Sequence, residues 1–490
     1  MSVIRSSSSA SAGVEALRNA GAYLAELNSP TLRLGVTGLS RAGKTVFIAA
    51  MVRNLIEGGR MPFFGARAQG RIIRAYLEPQ PDDAVPRFDI ETHLAALASA
   101  PPHWPQSTSR ISQLRVTIEY EPAGTLRHYL GRVIGASKLH VDIVDYPGEW
   151  LLDLALLDQD YATWSAEALA AARKPHRAAP SASWLARVAA LDPAGRADEA
   201  IAREAAACFT KYLQAARGNA AVATLGPGRF LLPGELEGSP LLTFVPLDLV
   251  AGAEIARDSL AAMMQRRFES YKREVVRPFF VRHFGRLDRQ IVLVDALAAI
   301  DAGADAVEDL TVALTAAFNA FRPGVNSWGS RLFAPRIDRI VFAATKADHL
   351  PRSSHDRLEA ALQMLTDRAM ARARYAGAEI KVLALAALRA TREVEVKQGG
   401  ELLPCIAGTP LAGERLDTLV FDGTREAVVF PGDLPADPAA ALTSGRGPDV
   451  RIVRFAPPRI WAASERIEAA DWPHIRLDRA IDFLIGDRLA

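Results

Sequence analysis

The stretch "LRLGVTGLSRAGKTVFIAAMV", residues 32–52, constrains the fold of this chain more than any other. An apolar run ends at Gly38, a turn follows, and residues at helical spacing begin at Lys44. Residues Gly38 to Thr45 fit G-x-x-x-x-G-K-[ST]. Glycines at both ends let the backbone fold tightly, so that successive N–H groups converge on one point. The positive end of the helix faces the same point. That cradle suits a phosphate: the backbone of Ser40, Arg41, Ala42, Gly43 and Val46 surrounds it, and the Lys44 ammonium reaches the β- and γ-phosphates. The Thr45 hydroxyl is a ligand for Mg²⁺. Eight residues with four constrained positions can match by chance, and the flanking strand and helix argue against chance here.

The rest of the chain supplies a matching framework. Strand patterns "QLRVTIEY", "KLHVDIVDYPG", "RQIVLVDAL", "RIDRIVFAATKADHL" and "EIKVLALAAL" alternate with helical ones, near 304–321 and 354–374 among others. Such alternation predicts an α/β fold with a mainly parallel sheet covered on both faces. Residues 1–30 read as a polar tail and a helix (13–27), and 31–150 as the first part of the core. The long connection before "QLRVTIEY" holds a helix near 88–98. Residues 151–288 form an Ala-rich, mostly helical insertion, 289–395 the second part of the core, and 396–490 an extension with short strands and an amphipathic final helix. The basic, aromatic "QRRFESYKREVVRPFFVRHFGR" reads as a long helix burying its aromatic stripe.

Three further motifs fall at strand ends. "HVDIVDYPGEW" places Asp145 at the end of an apolar strand with Gly148 three residues on. A carboxylate there can hold Mg²⁺ through water, and the Gly148 N–H can sense a γ-phosphate; a surface turn is the bland alternative. "TKADHL" places Asp348 where its carboxylate can accept two parallel hydrogen bonds from guanine N1–H and the exocyclic amine, a donor pair that adenine lacks. The Lys346 stem can lie along the base, while a helix-start cluster is the competing explanation. In "LALAALRAT", a backbone N–H near Ala387 or Leu388 can meet the guanine carbonyl oxygen.

In this order the motifs resemble those of the Ras-like P-loop GTPases. Within that class the chain is similar to the YcjX-like family of bacterial stress-associated nucleotide-binding proteins, on "GLSRAGKT", "DYPGEWLLDL", "RQIVLVDAL", "TKADHL", "LRAT" and "HIRLDRAIDFLIGDRL". The resemblance implies a Ras-like core with added helical and small β elements, and GTP/GDP binding with Mg²⁺. It also implies a link to envelope or heat stress and an inner-membrane protein as effector or activator.

Two positions depart from the usual pattern. Glu149 stands where small GTPases carry Gln to orient the attacking water, and its charge opposes a γ-phosphate, so slow hydrolysis or dependence on an activator is expected. Thr345 stands where Asn is usual. Thr108 in "PQSTSR" is the expected switch ligand to Mg²⁺, with Ser107 and Ser109 as competitors; Arg110 or Arg41 can supply charge to the transition state.

Composition bounds the alternatives. With 58 basic and 56 acidic residues the net charge is only +2, which gives no global pull on nucleic acid or anionic lipid. Two cysteines, Cys208 and Cys405, make no disulfide framework, which with the absence of a signal-like N-terminus favours a cytoplasmic setting. No apolar run reaches the roughly 18–20 residues that span a bilayer. The leading expectation is a slow, Mg²⁺-dependent GTPase switch, with a nucleotide-binding scaffold of vestigial hydrolysis, or a P-loop ATPase, as alternatives.

Overall fold

Strand β1 (Thr31–Gly38) buries Leu32, Leu34 and Val36, and an apolar strand buried on both faces needs parallel neighbours and helical cover. In the computed structural model it has both. The structure describes residues 29–39, 41–106, 110–123, 136–219, 221–250, 252, 254–319, 337–443, 450–459 and 472–490. The expected helix at 13–27 lies outside them.

After β1, helix α1 (Lys44–Glu57) buries Phe47, Ile48, Met51, Val52 and Leu55 against the sheet. Each such side chain contributes about 1.5–3 kcal/mol on burial. β2 (Ile72–Glu78), α2 (Ile90–Ala98), β3 (Ser112–Tyr120) and β4 (Ser137–Asp145) follow. β2 adds a strand to a stretch expected to be a long connection with at least one helix. It lies at the sheet edge, antiparallel to β3, and its Ile73 is exposed, so it carries no alternating pattern. Cross-strand pairing supports it instead: Arg74 Nε donates to Glu119 Oε2 at 2.6 Å.

A short helix, α3 (Glu149–Leu152), leaves β4 and opens a segment whose helices include α4 (Tyr161–Ala172), α5 (Ala178–Ala189), α6 (Glu199–Arg217), α7 (Leu260–Tyr271) and α8 (Arg277–Arg282). It has an aromatic core of its own, in which Trp184 stacks on Tyr212 at 5.0 Å and Trp164 on Phe268 at 5.0 Å. Phe268, Tyr271, Phe279 and Phe284 of the basic segment point into this core. A π turn, Lys272–Val276, joins α7 to α8.

The chain then returns to the sheet through β5 (Arg289–Val294), α9 (Ala296–Ala302), α10 (Ala304–Asn319), β6 (Arg339–Ala344), α11 (His355–Tyr375) and β7 (Glu379–Ala384). The strand order is β2-β3-β4-β1-β5-β6-β7, with β4, β1, β5, β6 and β7 mutually parallel. Their carboxyl ends, at Asp145, Gly38, Val294, Ala344 and Ala384, therefore share one edge. Ligands of open α/β sheets bind outside that edge. β8 (Arg392–Gln398) and β9 (Glu401–Gly408) form an antiparallel pair beyond it. The last helix, α12 (Leu477–Ile485), packs Ala480, Ile481, Leu484 and Ile485 into the core around α1. Its Asp478 and Asp482 accept from the N–H groups of Phe63 and Gly65 at 3.0 and 2.9 Å. Among the described residues, no helix is long and apolar enough to cross a membrane.

Candidate functional site

The loop between β1 and α1 turns twice into the left-handed region, at Arg41 (φ 66) and Gly43 (φ 85). A Cβ at Gly43 would meet nothing within 4 Å, so backbone conformation rather than space demands glycine there. Lys44 is 9% exposed, and its Nζ folds back over the cradle to donate to Gly38 O at 2.8 Å. Thr45 is buried beside it; its hydroxyl lies 3.5 Å from Gln106 O, so the segment leading to residues 107–109 meets this helix start. Ser40, Ser107, Thr108 and Ser109 themselves lie outside the described residues.

Asp145 ends β4 opposite Val36 of β1 and is buried. The Asp145-to-Gly148 turn packs directly on the phosphate loop, where a Cβ at Gly148 would collide with the Gly38 carbonyl. The Lys44 ammonium and the oxygens of Thr45 and Asp145 are of the donor types that would suit a magnesium nucleotide.

At the other end of the edge, Thr345 N–H donates to Val294 O at 2.9 Å, tying β6 to β5. Lys346 takes a left-handed conformation (φ 59), and its ammonium pairs with the Asp295 carboxylate. Asp348 is buried, with Oδ2 accepting from the Ala390 N–H at 2.8 Å. Its backbone carbonyl accepts from the Thr391 hydroxyl. The Ala386 N–H is taken by Ile475 O at 3.1 Å, whereas the N–H groups of Ala387 and Leu388 have no protein partner among the described residues.

One cavity of about 330 Å³ joins the two ends, touching residues 41–47 on one side and Thr345, Lys346, Asp348 and residues 385–388 on the other. Arg41, Ala42, Gly43, Lys44, Thr45, Val46, Glu149, Ala387 and Leu388 all reach it; Arg110 does not line it. Part of its wall had no sequence signal. Trp104, Leu411, Arg454 and Phe455 close the base end, with Trp104 Nε1 donating to Phe455 O at 2.7 Å. His349, whose ring meets Phe455 edge-on at 5.4 Å, is held below its ordinary pKa by burial. A second cavity of about 560 Å³ continues on the far side of Arg41, between α3, the end of α6 and α9.

Glu149 is not alone. Arg217, in the last turn of α6, donates to its Oε1 at 2.7 Å, and both residues line the two cavities. The helical segment grips α3 elsewhere too. Gly228 N–H and Tyr271 Oη each donate to Asp153 at 2.6 Å, and the Arg229 guanidinium sits 3.3 Å from the centre of the Trp150 ring. Burial pushes the Asp153 carboxyl up to about 6, against the hydrogen bonds that favour its charge. Between the unfolded value near 4 and about 6, the unfolded chain releases the proton that the fold retains, so this group's contribution to stability falls as pH rises. Asp153→Asn stays neutral. Its stability relative to wild type should improve by up to about 3 kcal/mol between about pH 4 and pH 7. Denaturant midpoints at both pH values check this, and a constant difference would refute it.

The sequence pattern of the YcjX-like family, DUF463, matches residues 32–489. A protein named Ras-like GTPase YcjX from Escherichia coli (strain K12) is 37% identical over 469 residues, covering 94% of this chain and 96% of that one. Another of the same name, from Shewanella oneidensis, is 35% identical over 479 residues, 94% of each. Matched across nearly its whole length, the chain belongs to the YcjX-like family.

Proposed function

We propose that the protein binds GTP and GDP with Mg²⁺ and hydrolyses GTP slowly, as a cytoplasmic molecular switch. The observation that carries this is the single cavity holding Lys44 and Thr45 at one end and Asp348 at the other. Lys44 and the loop amides bind the phosphates, Thr45 and Asp145 hold the metal, and Asp348 selects guanine. Bound Mg²⁺ supplies charge neutralisation at the β- and γ-phosphates. Gly148 offers its N–H to the γ-phosphate, and Glu149 orients water or takes its proton. Thr108 closes over the metal in the GTP state, with Ser107 and Ser109 as alternatives. Because α3 follows Gly148 directly and the helical segment grips α3, a change at the γ-phosphate passes into that segment. A bacterial stress-response setting and an inner-membrane protein partner rest on the family resemblance.

Purified protein should carry guanine nucleotide and release phosphate from GTP on the order of 10⁻⁴ to 10⁻² s⁻¹, in the range of unassisted enzymes of this class. ATP should compete poorly. Competition by ATP as strong as by GTP would remove Asp348 from the base site.

A further inference from the structure

Glu149 presents an electrostatic problem that the structure answers. Gly148 lies against the start of the phosphate loop, and Glu149 follows it directly. The Glu149 side chain is only 7% exposed and shares the cavity wall with Lys44. An uncompensated carboxylate in such a position repels each added phosphate charge with little help from solvent. The Arg217 guanidinium, 31% exposed, meets it at 2.7 Å.

A tie between the helical segment and the core would account for that contact only if the segment lacked others. It has them. The buried Arg177–Asp309 pair joins α10 to the start of α5, and the N–H groups of Ala223 and Thr224 donate to the same carboxylate at 2.6 and 2.8 Å. Arg217 instead ends its helix at the junction of the two cavities, with Gly218 completing the last turn through a hydrogen bond to Ala215 O at 3.3 Å. A cation at that terminus is also favoured by the helix dipole.

We propose that Arg217 is a positioning residue for the nucleotide reaction, delivered within the same chain by the helical segment. It holds Glu149 and cancels its charge, so that the site accepts a triphosphate rather than discriminating against it. The proposal deepens the guanosine-nucleotide reading and rests on it. It also explains how Glu can stand in the place of Gln: the residue acts as half of a neutral Glu–Arg unit.

The test is titration of full-length protein with GDP and with a non-hydrolysable GTP analogue, in the presence of Mg²⁺. Arg217→Ala should keep its GDP affinity within about twofold and lose on the order of tenfold for the triphosphate. Arg217→Lys should recover most of the loss. In an Glu149→Gln background the penalty of Arg217→Ala should vanish, because no charge is left to cancel. Equal losses for both nucleotides would overturn the proposal, and so would a triphosphate penalty that persists beside Glu149→Gln. Arg217→Gln, which retains a donor and drops the charge, gives the same readout should the alanine variant not fold. Wild-type GDP binding that Lys44→Ala abolishes keeps the parent reading standing whichever way Arg217 falls. A wild-type chain that binds no guanosine nucleotide ends both.

Discussion

Lys44→Ala will bind neither GTP nor GDP at concentrations that saturate the wild-type chain. The ammonium is held over the phosphate loop by a backbone carbonyl, Gly38 O, at 2.8 Å. A charge-assisted contact to phosphate is worth roughly twice a neutral hydrogen bond, and at a buried position its loss leaves the ligand's charge uncompensated. A fall of about a hundredfold or more in affinity is expected, about 3 kcal/mol. The fold itself should tolerate the change. Alanine is the best helix former for the first turn of α1, and the Gly38 carbonyl is the partner left behind. Calorimetry gives the affinity, and thermal unfolding separates the two effects. Without ligand the variant should melt close to wild type. With nucleotide at a hundredfold over the wild-type dissociation constant, it should lack the stabilisation of about 2.7 kcal/mol that binding confers. Wild-type affinity in the variant would remove the phosphate loop from the function altogether.

What the sequence made legible follows from where each constraint is local. The turn at Gly43 needs a left-handed residue, the next position a cation, and a strand and helix must flank them; all of this is written in about twenty consecutive residues. The strands that carry Asp145 and Asp348 are apolar enough to be read directly, and their shared edge follows once the sheet is parallel. β2 was hidden because an edge strand with an exposed Ile73 and a paired Arg74 lacks the alternation that identifies strands. The cavity's remaining wall was hidden for a different reason. Trp104, Leu411 and Phe455 belong to no motif, and their convergence depends on long-range contact between Trp104 and the C-terminal extension. Arg217 is an ordinary helix-terminal arginine by sequence; only the long-range contact with Glu149 distinguishes it. The same holds for the Ala390 amide that fixes Asp348.

That amide makes the second large effect predictable in detail. With Oδ2 of Asp348 engaged by the Ala390 N–H, a substituted asparagine has one favourable orientation: its oxygen must take the Ala390 position, and its NH₂ must face the cavity. In the wild type, Oδ1 and the second lone pair of Oδ2 remain to accept from guanine N1–H and its amine. In Asp348→Asn the cavity-facing group becomes a donor. Donor then opposes donor at the guanine amine, whereas xanthine, with a 2-oxo group there, gains an acceptor for it. Losing a buried, paired recognition contact and leaving polar groups unmatched costs on the order of a hundredfold or more. Asp348→Asn should therefore lose at least about that factor for GTP and come to prefer XTP, while ATP binding stays weak. Lys44→Ala in the same assay should weaken GTP and XTP alike, since both share the phosphate contacts. Competition titrations with the three triphosphates decide the matter: unchanged GTP affinity in Asp348→Asn would mean that the base lies elsewhere, and an equal loss for GTP and XTP would mean that Asp348 only braces the β6–β7 edge through Ala390 and Thr391.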